Sequence, residues 1–190
     1  MELTLEFIRE ALTRTDSLPT DDSGLTPAGV LLLLYPKDGE LCVLLNKRTS
    51  RVEHHKGEIS FPGGSQDPED ATILDTALRE AFEEMGIQGE HVEVLCQLDQ
   101  VTTRSGFAIT PFVGIIPPSY PFKASGIEVA EVLEVPLSTL LAPATRRQEA
   151  RAWTNGATQE HAYAYGEHLI WGATARMLTQ FLGLIDPNVR

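Results

Sequence analysis

The sequence of 190 residues has two cysteines, few basic residues and no long apolar run. Cys42 and Cys96 lie in separate apolar stretches, neither belongs to a C-x-x-C pair, and no nearby histidine spacing indicates zinc. We therefore expect two buried thiols in a reducing compartment. No stretch approaches the roughly 18 apolar residues of a membrane span, and the N-terminal segment is acidic where a signal peptide would be basic. These features predict a cytoplasmic protein with no membrane partner.

Positive charge is scarce, since 15 Lys and Arg residues stand against 27 Asp and Glu residues, for a formal net charge of -12. This balance argues against a protein that binds nucleic acid or an anionic membrane through bulk charge. It does not exclude a small anionic substrate, because a divalent metal can invert the local field. We predict a small-molecule substrate and no nucleic-acid partner.

The length and the 42% hydrophobic content are those of a single globular domain over residues 1–190. Apolar runs at 28–35 and 41–48, split by the turn signal P-K-D-G, predict a hairpin. Helical spacing predicts flanking helices at about 2–14 and 168–184. Because strands and helices mix without a strict β-α-β rhythm, we expect an α+β fold with a mixed sheet covered by helices. Further strands are predicted at 92–101 and 107–116, with a late hairpin about N-G-A-T.

A central helix is predicted between the apolar hairpin and the later strands. Asp67, Pro68 and Asp70 have the order of an N-cap, a first-turn proline and an acidic capping partner. A start at about residue 71 is the alternative. Gly86 is typical of the residue that ends a helix.

Three carboxylates share one turn of this helix, in the stretch R-E-A-F-E-E-M-G. At 100° per residue, Glu84 lies about 40° from Glu80, and Glu83 lies about 60° to its other side. Such like charges destabilise a helix when unpaired, whereas a hard divalent cation turns their repulsion into coordination. The alternative is a solvated acidic face with Arg79 as the counter-charge.

Two neighbouring features favour a metal site on this turn. The F-P-G-G segment (61–64) precedes the helix, and its glycines let the backbone approach a ligand. Carboxylates for a metal beside cations for phosphate are typical of a metal-assisted phosphate enzyme. The upstream cations are Lys47, Arg48, Arg51 and Lys56.

The stretch 64–87 resembles the Nudix box, whose pattern is G-x5-E-x7-R-E-U-x-E-E-x-G-U with U aliphatic. Residues 79–87 match the second half of the pattern, with Ala81 as the small apolar U. The resemblance implies the Nudix fold, an α/β/α sandwich in which helices flank a central mixed β-sheet.

The first half of the box departs from the pattern. Fourteen residues separate Gly64 from Arg79, one more than the pattern has. Ala71 stands where the first Glu is expected, and Asp70 is the nearest acidic residue.

The segment 44–64 resembles the signature of the coenzyme A pyrophosphatase branch, roughly L-L-T-x-R-[SA]-x3-R-x3-G-x3-F-P-G-G. Asn46 replaces the Thr, Thr49 replaces Ser or Ala, and Glu53 stands where an Arg is expected. Later segments are also similar to this branch, so the resemblance covers most of the chain after residue 28. The matching positions are Leu44, Leu45, Arg48, Gly57 and 61–64.

The resemblance implies an enzyme that cuts coenzyme A at its pyrophosphate, giving 4′-phosphopantetheine and 3′,5′-ADP. It also implies Mg²⁺ or Mn²⁺ bound by Glu80 and Glu84, with help from Glu83 and a carbonyl of Gly64 or its neighbour Gly63.

Four cations are candidates for binding the substrate. For Arg48 the alternative is a surface arginine that ends a strand, and for Arg104 it is a plain turn. The four are Arg48, Arg51, Lys56 and Arg104.

The general base is expected in the box itself or among later carboxylates. Glu128, Glu131 and Glu134 are the later candidates, and Glu131 is preferred for its place in E-V-A-E-V. Each of them can equally be an ordinary strand-edge carboxylate. The predicted catalytic set is Glu80, Glu83, Glu84 and Glu131.

Three other functions stay open. Two are enzymatic: an ADP-ribose or dinucleotide pyrophosphatase, and a housecleaning nucleotide hydrolase. The third is a non-catalytic nucleotide sensor, against which the intact Glu80, Glu83 and Glu84 set argues, because a binder needs no metal-ligating carboxylates.

Overall fold

A computed structural model of the protein describes residues 3–13, 24–50, 57–153 and 156–189, with the backbone alone for 150–153 and 156–159. These residues form eleven strands and four α-helices. In chain order they are α1 (Leu5–Leu12), β1 (Thr26–Lys37), β2 (Glu40–Arg48), β3 (Ile59–Ser60), β4 (Gly63–Ser65), α2 (Ile73–Met85), β5 (Glu93–Gln97), β6 (Val101–Thr102), β7 (Phe107–Ile115), β8 (Val129–Pro136), α3 (Leu137–Leu141), β9 (Arg146–Trp153), β10 (Gly156–Tyr165), β11 (His168–Ile170) and α4 (Gly172–Ile185).

The larger sheet is mixed, with the strand order β3-β2-β1-β7-β5. Strands β1 and β7 run parallel, whereas β1 pairs antiparallel with both β2 and β4. Strand β8 pairs with β2, and β6 pairs with β7. The second sheet is antiparallel, in the order β11-β10-β9.

Helices cover both faces of the larger sheet, which confirms the predicted sandwich. Side chains alternate along β1, so Leu31 and Leu33 pack in one core with Ala77 and Ala81 of α2. The residues between them face a second core that contains α1 and α4. That core includes Leu32, Leu34, Val43, Leu45, Ile8, Leu12, Leu178 and Phe181.

The predicted β1–β2 hairpin is confirmed. Lys37 pairs with Glu40 across a two-residue turn. Both turn residues, Asp38 and Gly39, have positive φ angles of 50° and 83°. Asp and Gly are favoured in this conformation, which matches the twist of the strands that it joins.

Helix α2 begins later than the Asp67 cap predicts. Its N-cap is Thr72, which forms a capping box with Asp75, in agreement with the alternative start near residue 71. Asp70 is instead a turn residue whose Oδ2 accepts a hydrogen bond from the Asp67 amide nitrogen at 2.9 Å. The predicted end is confirmed, since Gly86 follows Met85 with a φ of 70°.

The C-terminal helix also begins later than predicted. Residues His168–Ile170 pair with β10 as a strand, and α4 starts only at Gly172. The strand predicted at 92–101 is divided into β5 and β6, whereas the late hairpin is confirmed as β9 and β10. Among the described residues, no helix is long and apolar enough to cross a membrane.

Candidate active site

Glu84, in the last turn of α2, is a buried carboxylate with only 1% of its surface exposed. Its Oε2 accepts hydrogen bonds from Asn46 Nδ2 at 2.9 Å and from the Gly63 amide nitrogen at 3.2 Å. Arg48 Nη1 lies 3.4 Å from the other oxygen, Oε1. Burial raises the pKa of Glu84 to about 7 despite these donors, and the negative charge of Glu80 adds to the rise. An added cation would therefore stabilise the anionic form.

Glu80 lies one turn earlier, with its carboxylate against the backbone of β4. A side chain on Gly64 would place its Cβ only 2.6 Å from Glu80 Oε1, so any residue other than glycine would require the Glu80 carboxylate to move. Burial raises the pKa of Glu80, while Arg79 Nη1, at 2.9 Å, opposes the rise. Glu80 and Glu84 are thus two desolvated carboxylates that face the glycines of F-P-G-G.

Glu83 has a different environment from the other two acidic residues of the turn. Its side chain is 52% exposed, and Arg79 Nη1 lies 3.4 Å from its Oε2. The prediction that Arg79 supplies a counter-charge therefore describes Glu83 well.

Glu131 lies on the other face of the sheet. It pairs in register with Lys47, which lies between Asn46 and Arg48 on β2 and so points away from Glu84. Lys47 Nζ lies 3.9 Å from Glu131 Oε2, and His168 Nε2 lies 3.3 Å from Oε1. The structure therefore does not bring Glu131 to the carboxylates of α2.

Glu134 and Glu128, the other two later carboxylates, have different neighbours. Glu134 contacts Tyr35 and Lys37 near the β1–β2 turn. Glu128, in contrast, is close enough to Glu80 for its negative charge to add to the burial that raises the pKa of Glu80. Its carbonyl accepts a hydrogen bond from the Thr49 amide nitrogen at 2.8 Å, which fixes this segment beside β2.

Among the predicted substrate cations that the structure describes, Arg48 contacts a carboxylate of α2, that of Glu84. Arg51 and Lys56 lie outside the described residues. Arg104 lies in the turn between β6 and β7, where the Gly106 carbonyl accepts a hydrogen bond from the Thr26 amide nitrogen at 2.8 Å. This turn is at the same end of β1 as β4, because β4 pairs with residues 28–30.

Comparison with known proteins identifies this arrangement. The profile of the NUDIX domain matches residues 25–153. A protein of Photorhabdus laumondii subsp. laumondii, named uncharacterized Nudix hydrolase NudL, is 38% identical over 153 residues, which cover 80% of this chain and 81% of that protein. A protein of the same name from Enterobacter sp. is 38% identical over 188 residues, which cover 94% of this chain and 93% of that protein. The chain belongs to the Nudix hydrolase family.

Solved structures agree with this assignment at the level of the fold. The C. elegans Ap4A hydrolase binary complex matches with a TM-score of 0.51 and 18% identity, over 58% of this chain and 80% of that one. The Nudix hydrolase RenU from M. smegmatis matches with a TM-score of 0.50 and 26% identity, over 60% of this chain and 71% of that one. The predicted Nudix fold is confirmed, whereas a single domain over 1–190 stays a prediction.

The departure in the first half of the Nudix box is compensated by Asp70. Arg79 Nε donates to Asp70 Oδ1 at 3.0 Å, and Arg79 Nη2 donates to Oδ2 at 2.9 Å. The same guanidinium reaches Glu80, Glu83 and the carbonyl of Ser65. The hydrogen bonds from Arg79 hold the pKa of Asp70 well below its usual range. Asp70 thus tethers the loop to the helix from one position earlier than the pattern predicts.

The donor set of the Nudix box fits a hard divalent cation. The described residues contain no cluster of three or more His, Cys, Asp or Glu side chains placed to chelate a metal. Glu84 nevertheless supplies a buried carboxylate and Glu80 a partly buried one, and Gly64 lets the backbone come close to Glu80. Mg²⁺ is usually bound by one or two carboxylates, with waters and substrate phosphates as its other ligands.

Sequence reasoning missed two polar residues of this site. Asn46 is fully buried and donates to Glu84, and Ser60 Oγ donates to Asn46 Oδ1 at 2.7 Å. The available signal was a carboxamide in the apolar strand L-L-N-K-R, because a buried amide needs specific partners.

Proposed function

We propose that this Nudix hydrolase cleaves the pyrophosphate of coenzyme A, and of its derivatives, to 3′,5′-ADP and 4′-phosphopantetheine. The observation that carries the proposal is the position of the segment that resembles the coenzyme A branch. Three of its residues, Asn46, Arg48 and Gly63, contact the carboxylate of Glu84. The segment that suggests the substrate therefore lies directly on the acidic turn of the Nudix box.

Glu80 and Glu84 are the residues that would hold the metal, with the Gly64 backbone beside them and Glu83 at the exposed edge. When bound, Mg²⁺ or Mn²⁺ supplies Lewis-acid screening of the pyrophosphate charge and lowers the pKa of bound water. The need to bind a divalent cation explains why the folded protein keeps the carboxylates of Glu80 and Glu84 partly or fully buried. A nucleotide sensor without turnover has no use for that arrangement.

The remaining chemistry falls to side chains around the two carboxylates. Water attacks one phosphorus, the bridging P–O bond breaks, and a base holds the proton that the water gives up. We assign that base to Glu128, because its charge acts on Glu80 whereas Glu131 faces away. We expect Arg48, whose side chain is 24% exposed, to bind a phosphate oxygen through charge-assisted hydrogen bonds.

The proposal is tested by incubating the protein with coenzyme A, ADP-ribose, NADH and deoxynucleoside triphosphates, each with Mg²⁺ or Mn²⁺. Products are separated by chromatography. We expect coenzyme A to be the best substrate and to give 3′,5′-ADP. Turnover of ADP-ribose well above coenzyme A would contradict the branch assignment, and turnover of none of them would contradict the enzymatic function.

A further inference from the structure

Asn46 occupies a position where a polar side chain needs a specific reason. It lies in β2 after five buried apolar or thiol side chains, and it is itself 0% exposed. A buried amide destabilises a protein unless its donors and acceptors are paired. Asn46 is also one of the residues at which this chain departs from the coenzyme A pyrophosphatase signature.

The Asn46 amide is oriented by two partners: the Glu84 carboxylate only accepts and so takes the amide nitrogen, which leaves the amide oxygen for the Ser60 hydroxyl. The two residues are direct partners in the β2–β3 register, so their side chains lie on the same face. Ser60 Oγ donates to Asn46 Oδ1 at 2.7 Å, and a hydroxyl that donates must face the oxygen of the amide. The amide nitrogen is therefore turned toward Glu84, to which it donates at 2.9 Å.

This arrangement gives the two oxygens of Glu84 different surroundings. Oε2 accepts from both Asn46 and the Gly63 amide nitrogen, which accounts for the two acceptor sites of one carboxylate oxygen. Oε1 faces the guanidinium of Arg48 at 3.4 Å, a long contact. The scaffold thus holds one oxygen with two hydrogen bonds and leaves the other with a single long contact to the Arg48 guanidinium.

We propose that Asn46 and Ser60 are positioning residues that fix Glu84 through Oε2 so that Oε1 serves as the metal ligand. The inference rests on the proposed function, because it assigns a purpose to Glu84 as a ligand. An amide suits this position, since it accepts from Ser60 at one end and donates to Glu84 at the other. An aspartate of the same shape would place a second anion beside the buried carboxylate.

The experiment measures Mn²⁺ binding to the substrate-free protein by isothermal titration calorimetry, together with kcat, KM and the melting temperature. Asn46→Leu is expected to weaken Mn²⁺ binding by about 10- to 100-fold, the range found when outer-shell partners of metal ligands are changed. We expect kcat to fall in parallel and KM for coenzyme A to change little. Ser60→Ala is expected to have a smaller effect in the same direction.

The matched control is Thr174→Val. Thr174 Oγ1 is buried and donates to the Ile59 carbonyl at 2.9 Å, so this variant removes a hydrogen bond to the same strand β3 without touching Asn46. It is expected to lower the melting temperature and to leave Mn²⁺ affinity unchanged. The double variant Ser60→Ala/Asn46→Leu is expected to bind Mn²⁺ no more weakly than Asn46→Leu alone, because both changes act through one contact.

Two outcomes separate this inference from the proposed function. If the unmodified protein binds Mn²⁺ and turns over coenzyme A while Ser60→Ala and a folded Asn46 variant bind Mn²⁺ as tightly, the positioning role is wrong and the function stands. If the unmodified protein neither binds Mn²⁺ nor hydrolyses any substrate, the proposed function fails and the inference fails with it. Asn46→Thr, which restores the residue of the signature, provides a folded variant if the leucine variant does not fold.

Discussion

Two groups of charged side chains lie on opposite faces of β2, and each contains a carboxylate beside a cation. On the face toward α2, Glu84 lies beside Arg48, and only 2% of the Glu84 side chain is exposed. On the other face, Glu131 lies beside Lys47 and His168, and 45% of its side chain is exposed. Alternation along one strand separates the two groups, since Arg48 and Lys47 are adjacent in sequence.

The difference between them is burial. An exposed carboxylate is stabilised by water, and an ion pair at the surface contributes little free energy. A buried carboxylate keeps an unfavourable charge that only hydrogen bonds or a cation can offset. Glu84 has both hydrogen bonds from the scaffold and a raised pKa, so this face, and not that of Glu131, has the properties of a metal site.

The largest effect should come from exchanging Glu84→Gln and Glu131→Gln as a matched pair. Removing the charge of a metal ligand reduces transition-state stabilisation by several kcal/mol. Glu84→Gln should therefore lower kcat by about 1000-fold. Glu131→Gln should change kcat by less than about twofold, as expected for a surface pair. Steady-state hydrolysis of coenzyme A and thermal melts of both variants provide the measurement. Equal losses in the two variants, or a Glu84→Gln loss explained by unfolding, would remove the contrast between the faces.

A smaller effect is expected from Glu128→Gln, which tests the reassignment of the general base. Removal of a positioned base reduces the rate by about 100-fold or more, and metal affinity should hardly change because Glu128 is not a proposed ligand. A Glu128 variant with full activity, or one that loses Mn²⁺ binding in calorimetry, would show that the base lies elsewhere.

The acidic turn was predictable because helix periodicity depends on local sequence alone. Spacing places Glu80, Glu83 and Glu84 on one side of a turn, and Gly86 marks its end. Burial was not predictable in the same way, because it depends on what covers the turn. Nothing in R-E-A-F-E-E distinguishes Glu84, which lies under β2 and β4, from the half-exposed Glu83.

The general base could not be chosen from the sequence for a related reason. In E-V-A-E-V the spacing of Glu128 and Glu131 does not reveal which of them faces α2, because register is set by pairing with another strand. The β2–β8 ladder is shifted between Lys47 and Arg48, and this irregularity changes which side chains of β8 share a face. The contact between Asp70 and Arg79 could not be predicted either, because it depends on the path of a loop that the sequence does not specify.

The smallest effect is expected from Asp70→Asn, which loosens the loop that faces the metal-binding side of α2. Because Arg79 lowers the pKa of Asp70 in the folded protein, the charged carboxylate stabilises the fold above its unfolded pKa of about 3.9, and this stabilisation is lost as the pH falls through the folded value. The free energy of unfolding of the unmodified protein should therefore exceed that of the variant near neutral pH, and the difference should shrink below about pH 4. We expect kcat to fall by less than about tenfold, since Asp70 acts on Glu80 only through Arg79. Urea titrations of both proteins at several pH values measure the difference, and a difference that stays constant or grows toward low pH would show that the Asp70–Arg79 pair does not tether the loop.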